Sequence, residues 1–199
     1  MTKRLVVVLA LAVCSVTSMR GQMGQTAPKV PAGTMIEPGK SMEWLLNLYE
    51  GEIMGSVKAM PADKFNFAPS AAIFVPSQKT DYLSPNDKGV RTFGQMVGHI
   101  AQANYFFFSS VSGAKMGPEA KAIGSMTSKD DLVKALEGSF AFAHTQLGTL
   151  TAANAFASVK DDQTKTSMAA FGIAHMCDHY GQLVEYLRMN GIVPPASQK

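Results

Sequence analysis

The sequence predicts an all-α protein: a four-helix bundle with a long loop between the first and second helices. Three observations carry this. Apolar residues recur at helical spacing in four separate segments, cap and stop residues bound those segments, and no stretch shows convincing strand alternation. The chain has 199 residues, 46% of them apolar and 17% charged, which suits a single domain with a real core and leaves no room for long disordered charged tracts.

The chain opens outside that fold. Lys3 and Arg4 precede the nine-residue apolar run "LVVVLALAV", and Val16 and Ser18 stand at the spacing of a cleavage site, so residues 1–18 are expected to be a secretory signal cut after Ser18. The run is too short for a transmembrane span. A second reading takes "LAVC" as a lipobox, with anchoring at Cys14. Cleavage removes Lys3 and Arg4 and takes the formal charge from +3 to +1. A nearly neutral chain without basic runs has no electrostatic footprint for nucleic acid. Cys177 is then the single cysteine left, so an exported, periplasmic or secreted protein of this kind holds no internal disulfide. Residues 19–40, rich in Gly, Pro, Thr and Gln, are expected to form a flexible leader, and 41–195 the folded domain.

The first helix is expected over Ser41–Met60, with Ser41 as N-cap, an apolar face of Trp44, Leu45, Leu48, Ile53 and Val57, and Pro61 as its stop. Residues 61–91 carry four prolines and several turn pairs and are expected to form a long loop or lid; "AAIFV" at 71–75 is too short to count as a strand there. Thr92-Phe93-Gly94-Gln95 is a capping box that opens the second helix, running to about Ser110. At about 100° per residue, Phe93, Met96, Val97, Ile100, Asn104 and Phe107 share its face and His99 lies on the flank. The third helix starts near Ser128, with Asp130 and Asp131 favouring its dipole and Leu132, Leu136, Phe140 and Leu147 marking its face; His144 is expected at the surface or in packing. Residues 151–166 are expected to be a polar linker. The fourth helix spans Thr166–Met189, with Ile173, Met176, Tyr180, Leu183, Val184 and Leu187 as its core stripe, and ends at Asn190-Gly191 before Pro194-Pro195.

Chemistry gathers on the fourth helix. His175 and His179 are four residues apart, so both imidazoles lie on one face and can reach one ion at the ~2.0–2.1 Å of a Zn–N bond. His99, also on the edge of a core stripe, is the candidate third ligand, leaving the fourth tetrahedral position open. The spacing alone is equally compatible with histidines that only pack between helices. Gln182 and Tyr186 continue the histidine row and suit either pocket or packing roles. Asp178 points elsewhere, into solvent, and Cys177 is expected to be a buried inert thiol.

These segments carry a resemblance. "MPADKFNFAP", "FGQMVGHIAQANYFF" and "HMCDHYGQLVEYLRMNGIVPP" resemble the DinB-like family of four-helix bundles, also called DinB/YfiT-like metalloenzymes, over roughly residues 40–195. The resemblance implies one divalent metal held by His99, His175 and His179. Three neutral imidazoles suit Zn foremost, although nitrogen ligands alone also admit Ni, Fe or Mn. Many relatives have a histidine immediately before the last ligand, where this chain has Asp178. Relatives include thiol-dependent transferases and isomerases. The function expected is therefore an exported metal-dependent enzyme acting on a small-molecule substrate, either a hydrolase or a thiol-dependent transferase. The alternative is a non-catalytic binding or scaffold protein whose metal staples the second helix to the fourth. Many apolar helix residues also suit a homodimer.

Overall fold

A computed structural model describes residues 30–69 and 90–198. The expected signal, most of the leader and the middle of the 61–91 loop, including 71–75, lie outside the described residues. Residues 35–198 group as one compact unit.

The class expectation holds. The described chain is mostly helical, with long helices α1 (Pro38–Ala59), α2 (Phe93–Ser112), α4 (Lys129–Leu147) and α5 (Lys165–Met189). A short α3 (Pro118–Ala122), a hairpin of β1 (Ser158–Lys160) and β2 (Gln163–Thr164), and 3-10 turns at Ala62–Lys64, Ile123–Ser125 and Pro195–Ser197 accompany them. Among the described residues, no helix is long and apolar enough to cross a membrane.

Local chemistry explains each boundary. α1 begins at Pro38, three residues before the expected Ser41, because proline at the first helical position has the helical φ and lacks an N–H that would go unpaired. The Gly39 N–H bonds to the Leu150 carbonyl at 3.0 Å, and the Ala152 N–H bonds to Glu37 Oε2 at 2.7 Å, so this start is docked on the segment after α4. Residues 38–40, expected in the leader, are thus helix. At the other end of α1, the Lys129 ammonium donates to the Lys58 and Met60 carbonyls at 2.9 and 2.7 Å and sits over the Phe65 ring at 5.6 Å, capping the helix from α4.

The Thr92 capping box forms as read. The Gln95 N–H bonds to Thr92 Oγ1 at 3.2 Å, and the Thr92 N–H bonds to Gln95 Oε1 at 2.8 Å. The next free donors of α2, the Phe93 and Gly94 N–H groups, bond to the Phe67 and Phe65 carbonyls at 2.8 Å each. Ser128 caps α4 through the Asp131 N–H. α5 starts one residue before the expected Thr166, because Thr164 and Ser167 form a reciprocal capping box. Its end is a Schellman motif. Gly191 adopts φ +72°, the Gly191 N–H bonds to the Arg188 carbonyl, and the Ile192 N–H bonds to the Leu187 carbonyl.

Each long helix packs on two others, in the order α1–α4–α2–α5 and back to α1. Leu46, Ile53 and Val57 of α1 meet Val97, Ile100 and Phe108 of α2, Leu132, Leu136 and Phe140 of α4, and Met176, Leu183 and Leu187 of α5 in one core. Two polar groups sealed among them are paired across helices: the Asn104 amide donates to Ser139 Oγ at 3.0 Å, tying α2 to α4.

Three further expectations need correction. Trp44 and Leu48 are not core residues: they are 66% and 39% exposed, and the face that α1 buries carries Leu46, Ile53, Met54, Val57 and Met60. α1 has apolar residues on both sides, and its packing on α4 and α5 selects one. The 151–166 stretch is not merely a linker, since it contains the hairpin and the turn in which Asp161 adopts φ 49°. Cys177 is exposed rather than buried, because it opens onto an α1–α5 groove where the neighbouring Ala170 and Ala174 are too small to cover it.

A candidate metal centre on the second and fifth helices

α2 brings one imidazole and α5 two. α5 runs antiparallel to α2, with the Tyr186 hydroxyl near its end donating to the Arg91 carbonyl just before α2 begins, at 2.9 Å. That pairing sets the register. Gly172 makes it tight, since a Cβ there would lie 3.0 Å from Phe107 Cβ and 3.1 Å from Phe108 Cε2. With the helices this close, His99 faces the His175–His179 row.

The three side chains named from the sequence are brought together. His175 Nε2 lies 3.1 Å from His99 Nε2 and 3.0 Å from His179 Nε2. The ligand atoms of the three all lie within 4.8 Å of one another. Around one tetrahedral ion with Zn–N bonds of ~2.0–2.1 Å, adjacent nitrogens stand about 3.3 Å apart, close to the two separations from His175.

The donor chemistry fits as well. One imidazole nitrogen offers either one proton or one lone pair. His175 Nε2 therefore cannot satisfy both neighbouring nitrogens by hydrogen bonding, whereas three lone pairs directed at one cation satisfy all three. Burial favours the neutral, lone-pair-bearing form throughout. It lowers His99 to a pKa of about 3, aided by the Arg91 charge and then by the other two imidazoles. Burial is also the first cause for His175, lowered to about 4 with help from His179, and for His179, where the Asp178 charge works in the opposite sense. His179 is buried, while His99 and His175 are half-buried and leave one side of the cluster open.

The surroundings are apolar on one flank and polar on the other. The Phe107 ring lies 5.3 Å from the His175 ring and 4.8 Å from the Phe171 ring, fixing His175 against an aromatic wall. The other flank is a cavity of about 220 Å³ whose lining includes His99, Arg91, Gln95 and Gln102. Among the described residues, the buried Nδ1 atoms of His175 and His179 have no hydrogen-bond partner, and the Asp178 carboxylate stays 3.8 Å from His179 Nδ1. Asp178 is exposed, as read, and accepts from the Gln182 amide at 3.0 Å. Tyr186, the end of the histidine row, is buried against Phe67 and Phe93 and serves packing.

Sequence reasoning passed over two features. Arg91, at the end of the proline-rich stretch, carries no motif, and nothing in its neighbours announces that it faces His99. His144, expected at the surface or in packing, is clamped between carboxylates of α1: its Nδ1 is 2.7 Å from Glu43 Oε1 and its Nε2 2.7 Å from Glu50 Oε2. The seven-residue spacing of Glu43 and Glu50 puts them two turns apart on one face, the one available signal.

Compared with known proteins, the chain matches the family model described as the DinB superfamily over residues 51–183, more than half its length and spanning all three histidines. No curated protein matches it.

Proposed function

The chain belongs to the DinB superfamily, and from that premise we propose that it is an exported metal-dependent enzyme of hydrolase or thiol-transferase type, built on a four-helix bundle of α1, α2, α4 and α5. The observation that carries the proposal is the meeting of three neutral Nε2 atoms from two helices. In this reading His99, His175 and His179 are the protein ligands of one divalent ion, with zinc the first choice for three neutral imidazoles. Such an ion supplies Lewis acidity at the coordination position that the protein leaves open.

The chain's own residues do the rest. The buried His179 and the Phe107 wall keep water from the inner side of the cluster. Half-buried His99 gives the ion's ligand set its connection to the polar cavity, where a small substrate has room. Burial keeps the imidazoles unprotonated, so protons do not compete for their lone pairs near neutral pH.

Elemental analysis of the untagged chain tests the site. About one equivalent of a divalent metal is expected in the native protein and a loss of most of it in His99→Ala, His175→Ala and His179→Ala. Equal metal content in all four proteins would overturn the assignment. Screens of ester hydrolysis and thiol transfer then test the chemistry, with turnover expected to vanish in His99→Ala while the melting curve stays cooperative.

A further inference from the structure

Among the described residues, nothing neutralises the cation in the cavity beside His99. Arg91 is half-buried there, and its guanidinium makes no ion pair or hydrogen bond among the described residues. Among the described residues, no aspartate or glutamate lines the cavity. The Arg91 charge nevertheless reaches all three imidazoles. The cavity of about 220 Å³ has room for a small ligand, and Gln102 on its wall is already committed to the Ala120 carbonyl at 3.2 Å. The α2 N-terminus is not what attracts an anion, because the Phe93, Gly94 and Gln95 N–H groups are all bonded within the protein.

Charge accounting gives the ligand class. Three neutral histidines contribute no negative charge, so a divalent ion at the cluster and the Arg91 guanidinium would make the pocket strongly positive. Guanidinium presents a planar fork of donors matched to carboxylate and phosphate oxygens, and a half-buried one without a partner gains most from such a group. We propose that the substrate of the metal centre is a small molecule bearing an oxyanion, a carboxylate or a phosphate, which Arg91 binds while another group of the same molecule faces the three histidines. The proposal rests on the metal reading above and adds the substrate's charge to it. Arg91 is then a specificity residue, since it selects among molecules that reach the ion equally well.

The test loads the full chain with Co²⁺ and follows its absorption while titrating ω-mercaptocarboxylates, mercaptoalkylphosphonates and neutral mercaptoalcohols of matching lengths. The thiol is a reporter that perturbs the cobalt spectrum. At least one acid is expected to bind about tenfold tighter than the alcohol of the same length, and Arg91→Gln should reduce that preference to about twofold or less, with cobalt content and alcohol affinity unchanged. The carboxylate and phosphonate arms show which oxyanion is preferred. Equal binding of acids and alcohols by the native protein would overturn the proposal without any variant, as would a preference that survives Arg91→Gln. Cobalt content measured on the same samples separates this from failure of the metal reading: native protein that holds no more cobalt than His175→Ala would remove both.

Discussion

Burial alone would make His144 a weaker base than a free imidazole, yet its pKa is raised, because hydrogen bonds to Glu50 and then Glu43 outweigh the desolvation. A pKa raised above the unfolded value of about 6.5 means that the folded protein holds a proton the unfolded chain gives up. The stabilisation is fully present below about pH 6.5 and is lost as pH rises through the folded value. We expect His144→Gln to cost about 1–3 kcal/mol at pH 6, with the gap from native shrinking by pH 9. Denaturant melts of both proteins across that range check this, and a gap that widens with pH would refute the sign. The residue could not be read from the sequence, because its partners lie 94 and 101 residues away. His99, His175 and His179 were legible for the opposite reason: two share a helix face at fixed spacing, and the third sits in a segment resembling a known family. Arg91 had neither advantage.

Helices were legible where their ends carry local chemistry. The Thr92 box, the Ser128 cap and the Asn190-Gly191 stop all act within a few residues, so sequence order suffices to find them. The start of α1 was missed because Pro38 ends a run rich in glycine and proline that reads as loop, and the docking of Gly39 on Leu150 is a long-range event. The buried face of α1 was misjudged for a related reason: periodicity reports that a helix has apolar stripes, and only its neighbours decide which is covered. Close approach of whole helices is likewise invisible in pattern but testable by substitution. Phe107 Cβ, 3.0 Å from a Cβ added at Gly172, is bonded directly to the α2 backbone and cannot swing aside. Gly172→Ala should therefore push α5 from α2. The strain, about 1–3 kcal/mol, exceeds the gain of up to about 1 kcal/mol in helix propensity. Because the histidines are divided between those same two helices, metal affinity should fall with it, although no ligand is altered. Competition for metal against a chelator of known affinity measures this, and a variant that binds metal as tightly as native would mean the seam tolerates the methyl group.

At the scale of the molecule, the question is whether an ion at the three histidines would hold the fold together or use it. A staple joins elements that otherwise lack cohesion. Here the α2–α5 seam is only one of four, and the buried apolar residues come from all four long helices, with Leu46, Ile53, Ile100, Phe108, Leu132, Phe140, Met176 and Leu187 at most 2% exposed. The Asn104–Ser139 bond and the Lys129 cap of α1 tie helices together without the histidines. Metal removal should then leave the helices packed and take away only the binding free energy, roughly 3 kcal/mol at free metal about a hundredfold above Kd. For a chain of this size that lowers Tm by about 5–10 °C while the far-ultraviolet dichroism at 25 °C is unchanged. A staple makes the contrary prediction, since in proteins whose fold depends on metal, binding and folding are one equilibrium and chelation abolishes the helical signal. Thermal melts with and without chelator, read by dichroism on the same sample, distinguish the two. A metal-free chain that keeps its helices and loses turnover would make the ion a catalytic device on a self-sufficient scaffold.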